Sequence, residues 1–325
     1  MKTIGKFKKI LLAAIFTSAI TSTKAQTVSY KILENDPDKR NLFIHVNPFN
    51  VQAYFANITI GYNVQATWLA AKNFQFQVDF RKAYLDGDAT GVFSPKGLKK
   101  ASQIEVGGVF NLSNKLKNCS HRVVLSSSSS GRYNYTQSIS VMAEARKIFG
   151  IRGGFVSFFN NHHLSSFSGK NDVIMKGKSA DGQIRYVYDS LSYEAMNFTI
   201  RSTGIYAGID FKTIKHLLVN TDSYGEKGCK TVNNFYLDVL FTPLVVYKLK
   251  PNTGQTTFNN VDINISDNKR RLLGWRFGWQ YITNKSLGFN AKMEIGQQPG
   301  LYKQSFFMAL GFGFTIGLKT KVLPI

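Results

Sequence analysis

The sequence predicts an all-β chain closed into an antiparallel transmembrane β-barrel of about twelve strands, with fourteen as the alternative. Apolar residues recur at every second position in one segment after another, the period of a β-strand, because successive side chains leave the pleat on opposite faces. After the first 25 residues no apolar run is long enough for a helical span, so a chain that crosses a membrane must satisfy its backbone by closing a sheet. Composition agrees: 26 Phe, 15 Tyr and 27 Gly against only 7 Pro suit strands with an aromatic exterior and a close-packed interior.

At the N-terminus, Lys2, Lys6, Lys8 and Lys9 precede the apolar run ILLAAIFTSAI at 10–20, and TSTKAQ follows with small residues at Thr23 and Ala25. This is the pattern of a secretory signal peptide cut after Ala25, and its apolar stretch is short for a membrane helix. Residues 1–25 are therefore expected to be removed during export.

The strands follow in order. A first, Pro-containing strand falls near 42–48. In 54–68, Tyr54, Ile58, Ile60, Tyr62, Val64 and Trp68 share one face and Asn57, Thr59, Asn63 and Gln65 the other. NFQFQVDFRKAY at 73–84 sets Phe74, Phe76, Val78 and Phe80 against Gln75, Gln77, Asp79 and Arg81. Segment 104–112 opposes Ile104, Val106 and Phe110 to Glu105 and Asn111, and 135–146 opposes Ile139, Val141 and Ala143 to Ser138, Ser140, Glu144 and Arg146. Further strands are expected near 121–130 and 151–160. In 205–212, Ile205, Ile209 and Phe211 face away from Asp210 and Lys212; 235–242 presents Phe235, Leu237, Val239 and Phe241. Segment 273–281 presents Leu273, Trp275, Phe277, Trp279 and Tyr281, and 287–295 presents Leu287, Phe289, Ala291, Met293 and Ile295. The closing SFFMALGFGFTIGL carries Phe306, Met308, Leu310, Phe312, Phe314, Ile316 and Leu318 on one face, with Ala309, Gly311, Gly313, Thr315 and Gly317 opposite. In a soluble core so many small residues in one strand would pack nothing; inside a barrel they leave room for side chains from across the lumen.

From 42 to 319 the chain resembles the Gram-negative outer-membrane β-barrel superfamily, in period, strand length and amphipathic last strand. The resemblance implies a periplasmic segment at 26–41, the barrel at 42–319 and a tail at 320–325. It differs in one respect: KTKVLPI follows the last strand where such barrels commonly end in an aromatic residue. Short links at 70–73 (AAKN), 147–150 (KIFG) and 283–286 (TNKS) alternate with long ones at 85–101, 161–195 and 247–269. This places both termini in the periplasm and the long loops outside. DVIMKGKSADGQIRYVYDSL reads as a hairpin around SADG; its arms look short for a crossing, so it is expected in an external loop, and fourteen strands follow if they do cross.

Period two then divides the side chains. Ile58, Ile60, Phe74, Phe76, Phe80, Trp275, Phe277, Trp279, Phe306, Phe312 and Phe314 are expected to face lipid. Asp79, Glu105, Glu144, Asp210, Asp238 and Glu294 are expected to line the lumen with Arg81, Arg146, Lys212, Arg276 and Lys292. Those signs nearly balance although the whole chain carries +22 and the mature chain +17. The excess of positive charge is scattered over turns and loops with no nucleic-acid motif, which excludes a nucleic-acid partner and points to the phosphates of outer-membrane lipid and lipopolysaccharide.

Two functions fit this wall: a narrow channel for a small polar solute, or a closed, non-conducting barrel that serves as scaffold or accessory subunit with an envelope protein partner. A lipid hydrolase is a remote third, since HHLSS at 162–166 sets His163 two residues from Ser165. No catalytic set is assigned, no cofactor is implied, and adjacent His162 and His163 diverge on a strand and make no metal site. SSSSSG at 126–131 is low-complexity polar sequence without a phosphate-binding context. Cys119 and Cys229 both fall in segments expected at the periplasmic rim, where an oxidising compartment permits a disulfide if the backbones come close enough.

Overall fold

A computed structural model describes residues 28–54, 57–88, 100–163, 173–178, 184–186, 196–251, 260–265, 270–301 and 306–322. The leader at 1–25 and Leu164–Ser166 of HHLSS lie outside these residues. In chain order the strands are β1 (Tyr30–Asn35), β2 (Leu42–Tyr54), β3 (Asn57–Ala71), β4 (Phe74–Asp88), β5 (Ser102–Ser130), β6 (Tyr133–His163), β7 (Val173–Lys178), β8 (Ile184–Tyr186), β9 (Met196–Thr221), β10 (Gly225–Pro251), β11 (Asn260–Ile265), β12 (Arg270–Arg271), β13 (Leu273–Thr283), β14 (Leu287–Gln297), β15 (Gly300–Leu301) and β16 (Phe306–Leu318).

Ten strands form the barrel, in the order β2, β3, β4, β5, β6, β9, β10, β13, β14, β16, with β16 paired back onto β2. Every neighbouring pair is antiparallel, and β6 joins β9 across the long connection between them. The count of ten corrects the twelve, or fourteen, expected from period. Segments 104–112 and 121–130 belong to one strand, β5, and 135–146 and 151–160 belong to one strand, β6. β5 and β6 pair without a turn from Ser102↔Phe159 to Ser130↔Tyr133, so KIFG at 147–150 is strand interior and not a link. Alternation failed there for two physical reasons. A bulge between Asn111 and Ser113 breaks the phase of β5. On β6 the buried set then changes from the odd residues Val141, Ala143 and Ala145 to the even ones from Ile148 onward. The SADG hairpin is also outside the barrel: β7 and β8 pair with each other, and β11 adds to β7 to make a separate three-stranded sheet.

One end of the barrel carries the start of β2, the end of β16 and the tight connections at 72–73, 131–132, 222–224 and 284–286; the other carries the two-residue link at 55–56 and the longer connections. At the first of these ends two hairpins outrun the wall. Beyond Asn111 no described strand pairs with the outer edge of β5, so the β5–β6 hairpin continues as a free arm. The β9–β10 hairpin continues to Thr221 and Gly225. β6 leaves β9 after Ala145↔Lys215, and β1 takes over the exposed edge of β9 from Leu217 to Thr221. A small apolar core fastens the arm: Val123, Val141, Ala143, Leu217 and Val219 are buried together, with Ile139 and Cys229 against them.

Polar contacts tie β1 to the same place. Glu34 receives Lys39 and His216 Nε2, the latter at 2.8 Å, with Lys230 Nζ 3.6 Å away. The hydrogen bond from Lys39 is the leading cause that holds the Glu34 carboxyl down to about 2, with His216 adding to it against the opposing effect of burial. A carboxyl depressed in the folded state stabilises it above its unfolded value and loses that contribution as the proton returns. The docking of β1 is therefore expected to be full above about 4.5 and to weaken as the pH falls from there toward 2, read as faster amide exchange at Tyr30–Asn35.

Inside, one glycine matters for packing. A Cβ on Gly278 would lie 2.1 Å from Cζ of Tyr236, its directly opposed neighbour, so the absent side chain is what lets the tyrosine ring cross the lumen. Gly278→Val is expected to expel the ring and cost about 1–3 kcal/mol, as overpacked cores do, measured by the urea midpoint in detergent.

Candidate functional site: the barrel interior

The inward side chains are stacked in layers. At the end with the tight turns, Phe43 of β2, Ile148 of β6, Ile214 of β9, Val232 of β10 and Ile282 of β13 are all nearly fully buried and pack together, with Leu69 alongside. Five strands thus contribute to an apolar plug in a lumen whose wall reads as polar in sequence. Next come amides and imidazole: His45 Nδ1 lies 2.7 Å from Thr315 Oγ1, Asn47 donates to Asn63 Oδ1 at 2.9 Å, Asn63 donates to Asp79 Oδ1 at 2.7 Å, and Gln280 donates across to Gln65 Oε1 at 3.0 Å. Lys212 reaches Gln75.

Above them lies the charged layer. Arg81 of β4 grips Glu294 of β14 with both terminal nitrogens, Nη2 to Oε1 at 2.9 Å, and turns Nε to Asp79 Oδ1 at 3.2 Å. Lys292 binds Asp79 Oδ2 at 2.5 Å and approaches Glu294 at 3.3 Å. Arg276 of β13 takes Glu105 of β5 across the lumen, Nη2 to Oε2 at 2.9 Å, and Asp238 of β10 beside it at 2.7 Å. Tyr236 donates its hydroxyl to Glu294, and Arg152 sits 4.0 Å above the Tyr236 ring. Register explains much of this. Asp238 and Arg276 are directly opposed on neighbouring strands. Asp79 and Glu105 are opposed too, a like-charge pair that would repel if left alone. Each is taken by a different cation from the far wall, and the small residues opposite Lys292 and Glu294, Gly311 and Ala309, give those side chains room to turn inward.

Toward the long-loop end, Val156, Phe158, Tyr206 and Leu240 form one apolar cluster and Tyr54, Phe307 and Ala309 another. Tyr54 closes onto Gln298 with a 2.7 Å hydrogen bond. A polar recess lined by Asn50, Gln52, Thr59, Gln103 and Asn160 opens beside Arg81 at this end.

Of the expected lumen residues, Asp79, Arg81, Glu105, Asp210, Asp238, Arg276, Lys292, Glu294 and Lys212 are at most 6% exposed. With Arg152 they make five acids and five bases, and Asp86, 1% exposed, adds a sixth acid. Burial on this scale is tolerable only when each charge is paired and its lone pairs are satisfied. Two exceptions stand out: neither oxygen of Asp210 has a hydrogen-bond donor among the described residues, and Arg152 Nε lies 3.2 Å from Asp238 Oδ1 without the alignment of a hydrogen bond.

Glu144 and Arg146 are not part of this layer. Arg146 pairs with Asp38 and with Asn114 Oδ1 at the root of the arm, and the Glu144 amide donates to Asn35 Oδ1. Arg146 is still opposed to Ile214 at the edge of the wall and turns to Asp38 at the rim, while Glu144 lies just beyond the last β6–β9 pair, where alternation no longer aims at a lumen. Arg152, Tyr206, Tyr236 and His45 belong to the interior and were not singled out from sequence. For Arg152 the signal was present, since it sits between the exterior residues Ile151 and Phe155.

On the outer face Phe314 is 62% exposed, Phe312 50%, Phe76 48%, Ile58 44%, Trp275 38% and Phe277 37%, while Ile60, Phe74, Phe80, Trp279 and Phe306 are half-buried among neighbouring side chains. So much apolar surface, continued by Ile104, Val106, Phe155, Ile205, Phe211 and Val239, would be intolerable in water. Cys119 and Cys229 are free thiols and not a disulfide. The two strands that carry them do meet, because Cys229 packs on the cluster that holds Ala143, the residue opposed to Cys119. Burial pushes the Cys229 thiol up.

A closed antiparallel sheet with an apolar exterior and a polar, ion-paired interior is a transmembrane β-barrel of the outer-membrane type. No protein-family model matches the chain, and no curated protein does. Among solved structures it is similar to the NanC porin, at 6% identity over 85% of this chain and 100% of that one, with a TM-score of 0.28. OprB of Pseudomonas putida gives 6% identity over 89% and 94% with a TM-score of 0.22, and OmpT of Vibrio cholerae 7% over 89% and 100% with 0.15. Such scores are too low to carry fold or function across, and the class rests on closure, belt and interior.

Proposed function

We propose that this chain is a non-conducting barrel of the outer membrane that serves as a scaffold or accessory subunit of an envelope complex. The observation that carries the reading is the filled lumen: an apolar plug at one end, cross-lumen ion pairs in the middle and aromatic clusters at the other leave no continuous wet path among the described side chains. Apolar constrictions exclude water, and paired wall charges are not available to a permeating ion. The tight-turn end faces the periplasm in this reading, the leader at 1–25 directs export, and basic loops and girdle residues meet lipid and lipopolysaccharide phosphates. No catalytic role is assigned.

In planar bilayers the purified barrel is expected to give no unitary steps under conditions where a known porin conducts. Steady single-channel currents would overturn the reading. They would favour a narrow solute channel, for which the polar recess beside Arg81 supplies a mouth. In that event Arg81→Gln with Arg276→Gln should shift selectivity toward cations, since fixed wall charge sets preference at close range.

A further inference from the structure

The β5–β6 arm stands outside the barrel and its role is not accounted for by a closed lumen. From Ser113 to Ser130 it runs roughly 60 Å at about 3.3 Å per residue. More than half-way along, its Val123 and Val141 are buried against Leu217 and Val219 of the neighbouring hairpin. It then passes the neighbouring hairpin: Tyr224, in the β9–β10 turn, donates its hydroxyl to Gln137 Oε1 at 2.7 Å, and Ser126–Thr136 lie beyond that contact.

The composition of this tip is unusual. SSSSSGRYNYTQ consists of Ser, Gly, Tyr, Asn, Thr and Gln with a single Arg. These are the residue types that binding loops use, because tyrosine offers a large contact at low entropic cost and the short polar side chains adapt their hydrogen bonds. Tyr133 is 71% exposed and Tyr135 58%. Both therefore present most of their surface to solvent. Charge is nearly one-sided: from Ser113 to its opposed Phe149 the arm carries Lys115, Lys117, Arg122, Arg132, Arg146 and Lys147 against Glu144 alone. Glu144 is opposed to Asn118 near the base of the arm, Asp38 there is taken by Arg146, and Asp222 and Glu226 belong to the shorter β9–β10 hairpin. Along the arm, the outer edge of β5 also offers backbone groups that no described strand uses.

We infer that the arm is a docking finger for an acidic segment of another envelope protein, with Arg132, Tyr133 and Tyr135 as its contact centre. Tyrosine and arginine are the residue types that dominate binding energy at interfaces, and an acidic partner matches the arm's charge. The inference rests on the scaffold reading and gives that scaffold's partner a chemical class.

The test uses full-length protein in cells with a photo-crosslinking benzophenone amino acid in place of Tyr133, or of Tyr135, and a control in place of Tyr84 at the opposite end of the barrel. The expected result is one discrete protein adduct from the tip positions, absent from the control, that maps to a segment rich in Asp or Glu. Combined Arg122→Glu and Arg132→Glu should reduce it by at least about tenfold, the scale of losing one strong interface contact, whereas Arg122→Lys with Arg132→Lys should retain it. Adducts on glycan strands or phospholipid, adducts indifferent to charge reversal, or no adduct would each overturn the inference. Single-channel recording on the same preparations keeps the two readings apart. Currents would end the scaffold proposal whatever the crosslinks show, and a silent barrel without adducts would end the docking inference alone.

Discussion

Phe312→Arg is expected to abolish stable insertion of the barrel. Phe312 stands half exposed on the outer face of the last strand, opposite Phe49 on the strand that closes the seam. A cation placed near the bilayer midplane costs about 2–4 kcal/mol, much of the stability of an ordinary domain. Ile58→Arg is expected to fail less severely, because β3 begins at Asn57 and an arginine there can reach the long-loop headgroup region. The measurement is heat-modifiable electrophoretic mobility after refolding into lipid. Gly311→Arg is the instructive partner. It faces inward, where a Cβ would already meet Asn50 at 3.1 Å and Asn47 at 3.4 Å, so an arginine has no room and should also fail, by overpacking and not by lipid exposure. Detergents of different chain length should therefore change the yield of Phe312→Arg and leave that of Gly311→Arg unmoved. Normal folding of Phe312→Arg would reverse the assignment of faces.

The second large effect is expected at Arg276. Replacing it with methionine keeps much of the volume but leaves Glu105 and Asp238 buried without their main cation, and breaking a buried pair on one side costs about 3–5 kcal/mol. Glu105→Gln combined with Arg276→Met should recover part of that loss, since two apolar or neutral partners of similar shape can replace a buried ion pair at little net cost. The double variant being no better than the single one in urea-midpoint measurements would show that Arg276 acts alone and that no cross-lumen pair exists.

How much of this was legible beforehand depends on what each face of a strand meets. Where one face meets lipid, alternation is strict, and β13 and β16 could be read almost to the residue, with β4 falling four residues short at its end. The arm meets water on much of its surface and its own hairpin on the rest, so SNKLKNCS carries no period at all, and two long strands looked like four short ones. The lumen was harder. Period two names the inward residues but not their partners across the barrel, because Arg81 and Glu294, or Arg276 and Glu105, are brought together by the curvature of the whole sheet. The apolar plug was hidden for a similar reason: Phe43 and Ile282 near strand ends and Ile148, Ile214 and Val232 inside long strands each look like a single lapse in alternation, and only the closed ring makes them one cluster. Glu144 shows the opposite error, in which alternation was extended past the last β6–β9 pair, where there is no lumen left to face.

The seam has a consequence for how the molecule is made. β16 pairs with β2 along nearly its whole length, from Phe307↔Tyr54 to Leu318↔Leu42, so the two strands that complete the ring come from opposite ends of the chain. Every other wall contact except those of β6 with β9 and β10 with β13 joins strands that follow one another more closely, and short hairpins form quickly. Bringing distant segments together pays its loop-closure entropy first and gains its contacts last, which makes such pairings slow. Until that moment the growing sheet is an open curved ribbon with two raw edges, and all the charged side chains now locked across the lumen are still hydrated. Closure of the seam and desolvation of the ion pairs are thus one event, dependent on the pairing of the first and last strands of the barrel.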